Sequence, residues 1–121
     1  MKTCLVVDDS KMIRRVAGRI LKDLDFEASE AENGVEAMAA CKSRMPDAIL
    51  LDWNMPIMDG LSFLKALRKS PGGTSPVVVF CSAERDIDKI MEAMDAGANE
   101  YVMKPFDSDI IESKFAEAGI L

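Results

Sequence analysis

Apolar residues along the chain follow two periods, and the two alternate. Cys4-Leu5-Val6-Val7, Ala48-Ile49-Leu50-Leu51, Val77-Val78-Val79-Phe80-Cys81 and Tyr101-Val102-Met103 are short, unbroken apolar runs, the pattern of strands buried on both faces. Phe26 to Glu30 alternates more weakly between Asp25 and Asn33-Gly34 and predicts a short strand near a sheet edge. Between these runs apolar positions recur at steps of three and four. The first such set is Met12, Ile13, Val16, Ala17, Ile20, Leu21 and Leu24, the second Val35, Met38 and Ala39, and the third Leu61, Phe63, Leu64 and Leu67. Ile87, Ile90, Met91 and Met94, then Ile110, Ile111 and Phe115, complete the series. This spacing predicts five helices, each with an apolar face. In the first, Ser10 is placed to cap the amino end, and Arg14, Arg15, Arg19 and Lys22 are expected on the face away from the sheet. Pro46, the Gly/Pro/Ser-rich residues 70–76, Gly97 and Gly119 mark the breaks.

Five strands alternating with five helices predict an α/β fold, a doubly wound (βα)5 domain whose five-stranded parallel sheet is covered on both faces. In the flavodoxin-like strand order, 2-1-3-4-5, functional groups gather beyond the carboxyl ends of the strands, between strands one and three. The alternation runs straight through residues 70–76, so that stretch reads as a loop, and residues 1–121 read as a single domain.

Composition narrows the chemistry. A net charge of −6 with no histidine argues against general nucleic-acid binding. The lack of histidine also removes the commonest general base and zinc ligand, and with them most support for serine or zinc hydrolysis. Cys4, Cys41 and Cys81 are odd in number and sit in apolar or helical stretches, so they read as reduced, buried thiols of a cytoplasmic protein. The first apolar run stops at Asp8, far short of a signal-peptide core, and no segment has the length of a membrane span. A cytosolic location is therefore expected.

Strand one runs into Asp8-Asp9 and strand three into Asp52, the two strand ends that flank the switch point. Carboxylates gathered there repel one another and are driven towards protonation unless a cation lies among them. A hard divalent ion with oxygen ligands answers that need, and Mg²⁺, which keeps several waters, suits an open cluster. Strand four adds the hydroxyl of Ser82, and strand five the ammonium of Lys104. Acids, a dication, a hydroxyl and an ammonium together suit a phosphoryl group, with a carboxylate oxygen attacking phosphorus in line. No glycine-rich nucleotide loop is present, which argues against bound nucleotide as the phosphate donor.

On these residues the chain resembles the receiver domains of two-component signalling systems, and among them the stand-alone receivers of chemotaxis. The likeness rests on Asp8-Asp9, Asp52-Trp53-Asn54-Met55-Pro56 with Met58-Asp59-Gly60, Ser82-Ala83, Gly97-Ala98, Tyr101 and Lys104-Pro105-Phe106. It covers nearly the whole chain, and no output domain is expected. The resemblance implies that Asp52 accepts a phosphoryl group from a histidine kinase, a histidine phosphotransfer protein or a small phosphodonor. Asp9, Asp52 and the backbone carbonyl of Asn54 would then hold Mg²⁺, with Asp8 acting through water. Lys104 would pair with the phosphoryl group and Ser82 would donate a hydrogen bond to it. Movement of Ser82 would be linked to inward rotation of Tyr101, altering the face built by the fourth helix, fifth strand and fifth helix. A cis Lys104-Pro105 bond is expected. Serine at 82, where threonine is common in the family, keeps the hydroxyl but loses the methyl that stiffens the rotamer. Asn54 and Glu84 match a polar pair that implies rapid self-dephosphorylation.

The protein so described is a monomeric switch, an acceptor that assists its own phosphorylation and dephosphorylation, and its target would be a protein such as a flagellar switch component. An enzyme of the Mg²⁺-dependent phosphatase kind, working through an aspartyl phosphate, would need a substrate-covering cap, and no insertion is long enough. A phosphate-independent scaffold is disfavoured because every acid is present. Relay and effector binding use the same cluster, and both stay open at the level of sequence.

Overall fold

A computed structural model of the protein describes residues 1–83 and 85–121. In chain order its elements are β1 (Lys2–Val7), α1 (Lys11–Asp23), β2 (Phe26–Ala31), α2 (Gly34–Ser43), β3 (Ala48–Asp52) and α3 (Gly60–Lys69). β4 (Val77–Ser82), α4 (Ile87–Asp95), β5 (Glu100–Met103) and α5 (Ser108–Glu117) follow. All strand pairs are parallel, in the order β2-β1-β3-β4-β5. This is the flavodoxin-like order expected from the alternation of periods.

Alternate residues of the strands feed two separate cores, as a period of two requires. Leu5, Val7, Ile49, Leu51, Val78 and Phe80 meet Ala37 and Cys41 of α2, Phe63, Leu64 and Leu67 of α3, and Ala93 of α4. Cys4, Val6, Leu50, Val79, Cys81 and Val102 meet Ala17, Ile20 and Leu21 of α1 and Ile111 and Phe115 of α5. All three cysteines are free and buried, and burial pushes the Cys41 thiol up to about 11. β2 is an edge strand with only its end residues, Phe26 and Ala31, buried. No helix among the described residues is long and apolar enough to cross a membrane.

Element ends are set by side-chain caps. Ser10, Asn33, Asp59, Asp86 and Asp107 each accept a hydrogen bond from a backbone N–H of the first helical turn, which satisfies donors the helix itself cannot. The Asp59 cap starts α3 at Gly60, one residue before its first apolar position. Pairing also extends β1 to Lys2, β2 to Ala31, β4 to Ser82 and β5 to Glu100, beyond the apolar runs themselves.

The phase of α1 differs from expectation. Met12 and Val16 are 75% and 45% exposed, while Arg14 is only 7% exposed. At about 100° per residue, Val16 and Met12 are turned about 100° and 140° away from Ala17, whereas Arg14 lies only about 60° from it. A stripe wide enough for Ile13, Ala17, Ile20, Leu21 and Leu24 thus takes in the arginine and leaves those two apolar side chains outside.

Candidate functional site

Parallel register brings the strand ends together. Val7 is level with Leu51, Asp52 with Cys81, and Ser82 with Met103, so Asp8, Asp52, Ser82 and Lys104 reach one rim of the sheet. Ligand oxygens of Asp8, Asp9 and Asp52 all lie within 4.8 Å of one another. Asp8 and Asp52 are buried, whereas Asp9 is exposed. Lys104 Nζ donates to Asp8 Oδ2 at 2.7 Å and to Asp52 Oδ1 at 3.1 Å. Its backbone N–H donates to the carbonyl of Ser82 at 2.9 Å, which ties β5 to the buried end of β4.

Charge does not balance here. One ammonium set against three carboxylates leaves two negative charges uncompensated. Burial, and then the neighbouring Asp8, raise the Asp52 carboxyl above its ordinary range, with Lys104 opposing both. At Lys104 burial works against the ammonium, but its hydrogen bond to Asp8 and the Asp52 charge outweigh it, so the net direction is up. Hard oxygen donors, a deficit matching a dication, and an exposed Asp9 that leaves room for bound water fit Mg²⁺.

The β3–α3 turn that follows Asp52 is tightly built. Met58 N–H donates to Pro56 carbonyl at 2.8 Å, closing a three-residue turn around Ile57. That places Ile57, a β-branched residue, at φ 72°, in the left-handed region such side chains avoid. Met58 carbonyl accepts from Gly34 N–H at 2.9 Å, and Gly60 N–H donates to Trp53 carbonyl at 2.8 Å. A Cβ on Gly60 would run into the carbonyl oxygen of Asp52, so glycine is required for this close approach. Asn54 is exposed at the mouth of the turn, two residues beyond Asp52.

Tyr101 stands apart from the acids but is joined to them by packing. Its ring stacks on Phe80 at 5.9 Å, and Phe80 packs against Trp53, beside Asp52, at 5.0 Å. The ammonium of Lys89 on α4 lies 5.7 Å from the Trp53 ring. Asp8, Asp9, Asp52 and Lys104 therefore converge directly, Ser82 lies on the same rim, and Tyr101 is linked to Asp52 through the rings of Phe80 and Trp53. Glu84 lies outside the described residues. The Lys104-Pro105 bond is cis, as expected.

Helical periodicity alone missed Arg14. Its Nη1 donates to the Asp8 carbonyl at 2.7 Å and its Nε to Glu30 Oε1 at 2.8 Å. The available signal was its phase, since positions 14, 17 and 21 share one face of a helix.

The response regulator receiver domain family matches residues 4–116. The chemotaxis protein CheY of Pseudomonas aeruginosa is 38% identical over 111 residues, covering 91% of this chain and 90% of that protein. The chemotaxis protein CheY of Listeria monocytogenes is 40% identical over 121 residues, covering 98% and 99%. Among solved structures, chemotaxis protein CheY4 of Vibrio cholerae superposes with a TM-score of 0.92 at 30% identity, covering 98% of each chain. A Francisella response regulator receiver domain does so with a TM-score of 0.88 at 29% identity, over 98% and 96%.

Proposed function

Because the chain belongs to the response regulator receiver domains, phosphorylation-dependent signalling switches rather than enzymes in the ordinary sense, we propose that Asp52 is its phosphoacceptor. Asp9, Asp52 and the Asn54 carbonyl would hold Mg²⁺, with Asp8 acting through water. The observation that carries this reading is the convergence of Asp8, Asp9 and Asp52 within 4.8 Å, with Lys104 bridging two of them. The donor is a phosphohistidine of a kinase or phosphotransfer protein, or a small acyl phosphate. Asp52 Oδ forms a bond to phosphorus, and the bond to the donor's imidazole nitrogen or acyl oxygen breaks, the electron pair leaving with the donor. The chemistry Mg²⁺ would supply there is neutralisation of the charge shared by the carboxylates and the phosphoryl oxygens. Lys104 then exchanges its carboxylate contacts for a phosphoryl oxygen, and Ser82 donates a hydrogen bond to another.

Inward rotation of Tyr101 follows the Ser82 movement and alters the α4-β5-α5 face. Exposed Ile87, Met91 and Met94 form one stripe along α4, with Ile110 on α5 also exposed. Such a stripe favours binding of a downstream protein over a pure relay role. Since the relatives are chemotaxis proteins, the target is of the flagellar-switch kind, reached by a cytoplasmic monomer. Asn54 and Glu84 keep the phosphorylated lifetime short.

Trp53, the sole tryptophan, adjoins Asp52 and gives the test. Mg²⁺ followed by acetyl phosphate changes its fluorescence in steps, with recovery within minutes once donor is exhausted, and the second step disappears in Asp52→Asn. An Asp52→Asn protein that responds to acetyl phosphate like the parent refutes the assignment.

A further inference from the structure

Arg14 is the buried charge that the phosphorylation chemistry leaves unused. Resting on the Mg²⁺ reading of the acid cluster, we infer that Arg14 is a positioning residue for the metal site, and that Glu30 cancels its charge so that the brace does not repel the dication. Every polar atom of Asp8 is fixed. Its N–H donates to Ala31 carbonyl at 3.1 Å, Oδ1 accepts from Ser10 N–H at 2.9 Å, Oδ2 accepts from Lys104, and its carbonyl accepts from Arg14.

Only the Arg14 contact crosses from the inward face of α1 to the main chain between Asp8 and Asp9. It therefore sets how the peptide carrying the exposed Asp9 leaves the sheet. Arg14 is also bound through its own backbone, its N–H donating to Ser10 carbonyl at 3.0 Å. The turn is thus clasped from both ends of one residue.

Position has an electrostatic consequence. A guanidinium stays charged, and a cation hydrogen-bonded to the Asp8 carbonyl lies close enough to oppose a dication at the neighbouring carboxylates. Glu30 meets Nε at 2.8 Å, and Glu32 lies 3.6 Å from Nη2. Glu30 sits on β2 level with Val6 of β1, so the compensating charge comes from the adjoining strand end. The pair supplies the donor while leaving little net charge beside the site. Lysine cannot replace it, because one ammonium lacks the planar fork that serves a carbonyl and a carboxylate together.

Thermal unfolding at increasing Mg²⁺ tests this, because it reports stability without metal and affinity for metal in one experiment. The charge-balanced Arg14→Met/Glu30→Gln protein removes both charges and leaves the net charge unchanged. Its Mg²⁺ affinity is expected to fall about tenfold or more, the range for supporting groups around metal ligands. Glu30→Gln alone weakens Mg²⁺ binding too, because only the more distant Glu32 then offsets the guanidinium, and Arg14→Lys does not restore it. A folded double variant that binds Mg²⁺ as tightly as wild type overturns the role of Arg14. If the double variant does not fold, Arg14→Lys decides, and undiminished affinity there overturns it equally. A wild-type protein whose Tm ignores Mg²⁺ overturns the metal reading itself, a result distinct from either.

Discussion

At Asp52 opposing influences meet. Burial and Asp8 raise its carboxyl, and Lys104 offsets part of that effect. A carboxyl raised in the folded state holds its proton more tightly than in the unfolded chain, where its value is about 3.9. Stability is therefore lost as pH rises from the unfolded value through the folded one, and the ionised side chain is a net cost at neutral pH. Asp52→Asn without Mg²⁺ is expected to melt above wild type at pH 7, with the difference shrinking as pH falls towards 4. Equal Tm values at pH 7 by calorimetry in EDTA would contradict this. Lys104 acts in the opposite range. Its raised value means that its contribution is whole below about pH 10.4, the unfolded lysine value, and is lost as pH rises through the folded one.

Elements hold these residues at fixed heights, and the β3–α3 turn does so under strain. Ile57, 82% exposed with φ 72°, contributes no core packing to offset the strain of this sparsely populated turn conformation, about 1–3 kcal/mol. Asparagine tolerates that region, so Ile57→Asn is expected to raise stability by about 1 kcal/mol in denaturant unfolding; a loss of similar size would show that Ile57 makes a contact not accounted for. Neither this strain nor the need for glycine at 60 was legible in the sequence, because both arise from how closely the turn approaches Asp52. The strands were legible, since an apolar run such as 77–81 suits only a doubly covered strand. The positions of Asp8, Asp52, Ser82 and Lys104 at one rim followed from where the apolar runs stop, together with the parallel strand order. The inward face of α1 was not, because pattern reading counts Met12 and Val16 as core and an arginine as surface. A buried guanidinium is stable there only because Asp8 and Glu30 supply acceptors, and those come from other elements.

Across the whole molecule the helices differ in how firmly the cores hold them. Of the described residues of α4, Ala93 alone is buried, while Ile87 and Met91 are 66% and 56% exposed. A helix with so little buried surface can shift at small cost and also presents an apolar face. Ile87→Ser/Met91→Ser is accordingly expected to take up phosphate from acetyl phosphate at the wild-type rate, yet lose phosphorylation-dependent capture of its target. Unchanged capture by the double variant would move the docking face elsewhere. The central claim is that one acid of a shared dication site takes up phosphate, and peptide mapping of protein treated with acetyl phosphate tests it most directly. A single phosphoryl group on the peptide containing Asp52, requiring Mg²⁺ and absent from Asp52→Asn, is the predicted result; a phosphoryl group on another residue, or equal labelling in EDTA, would contradict it.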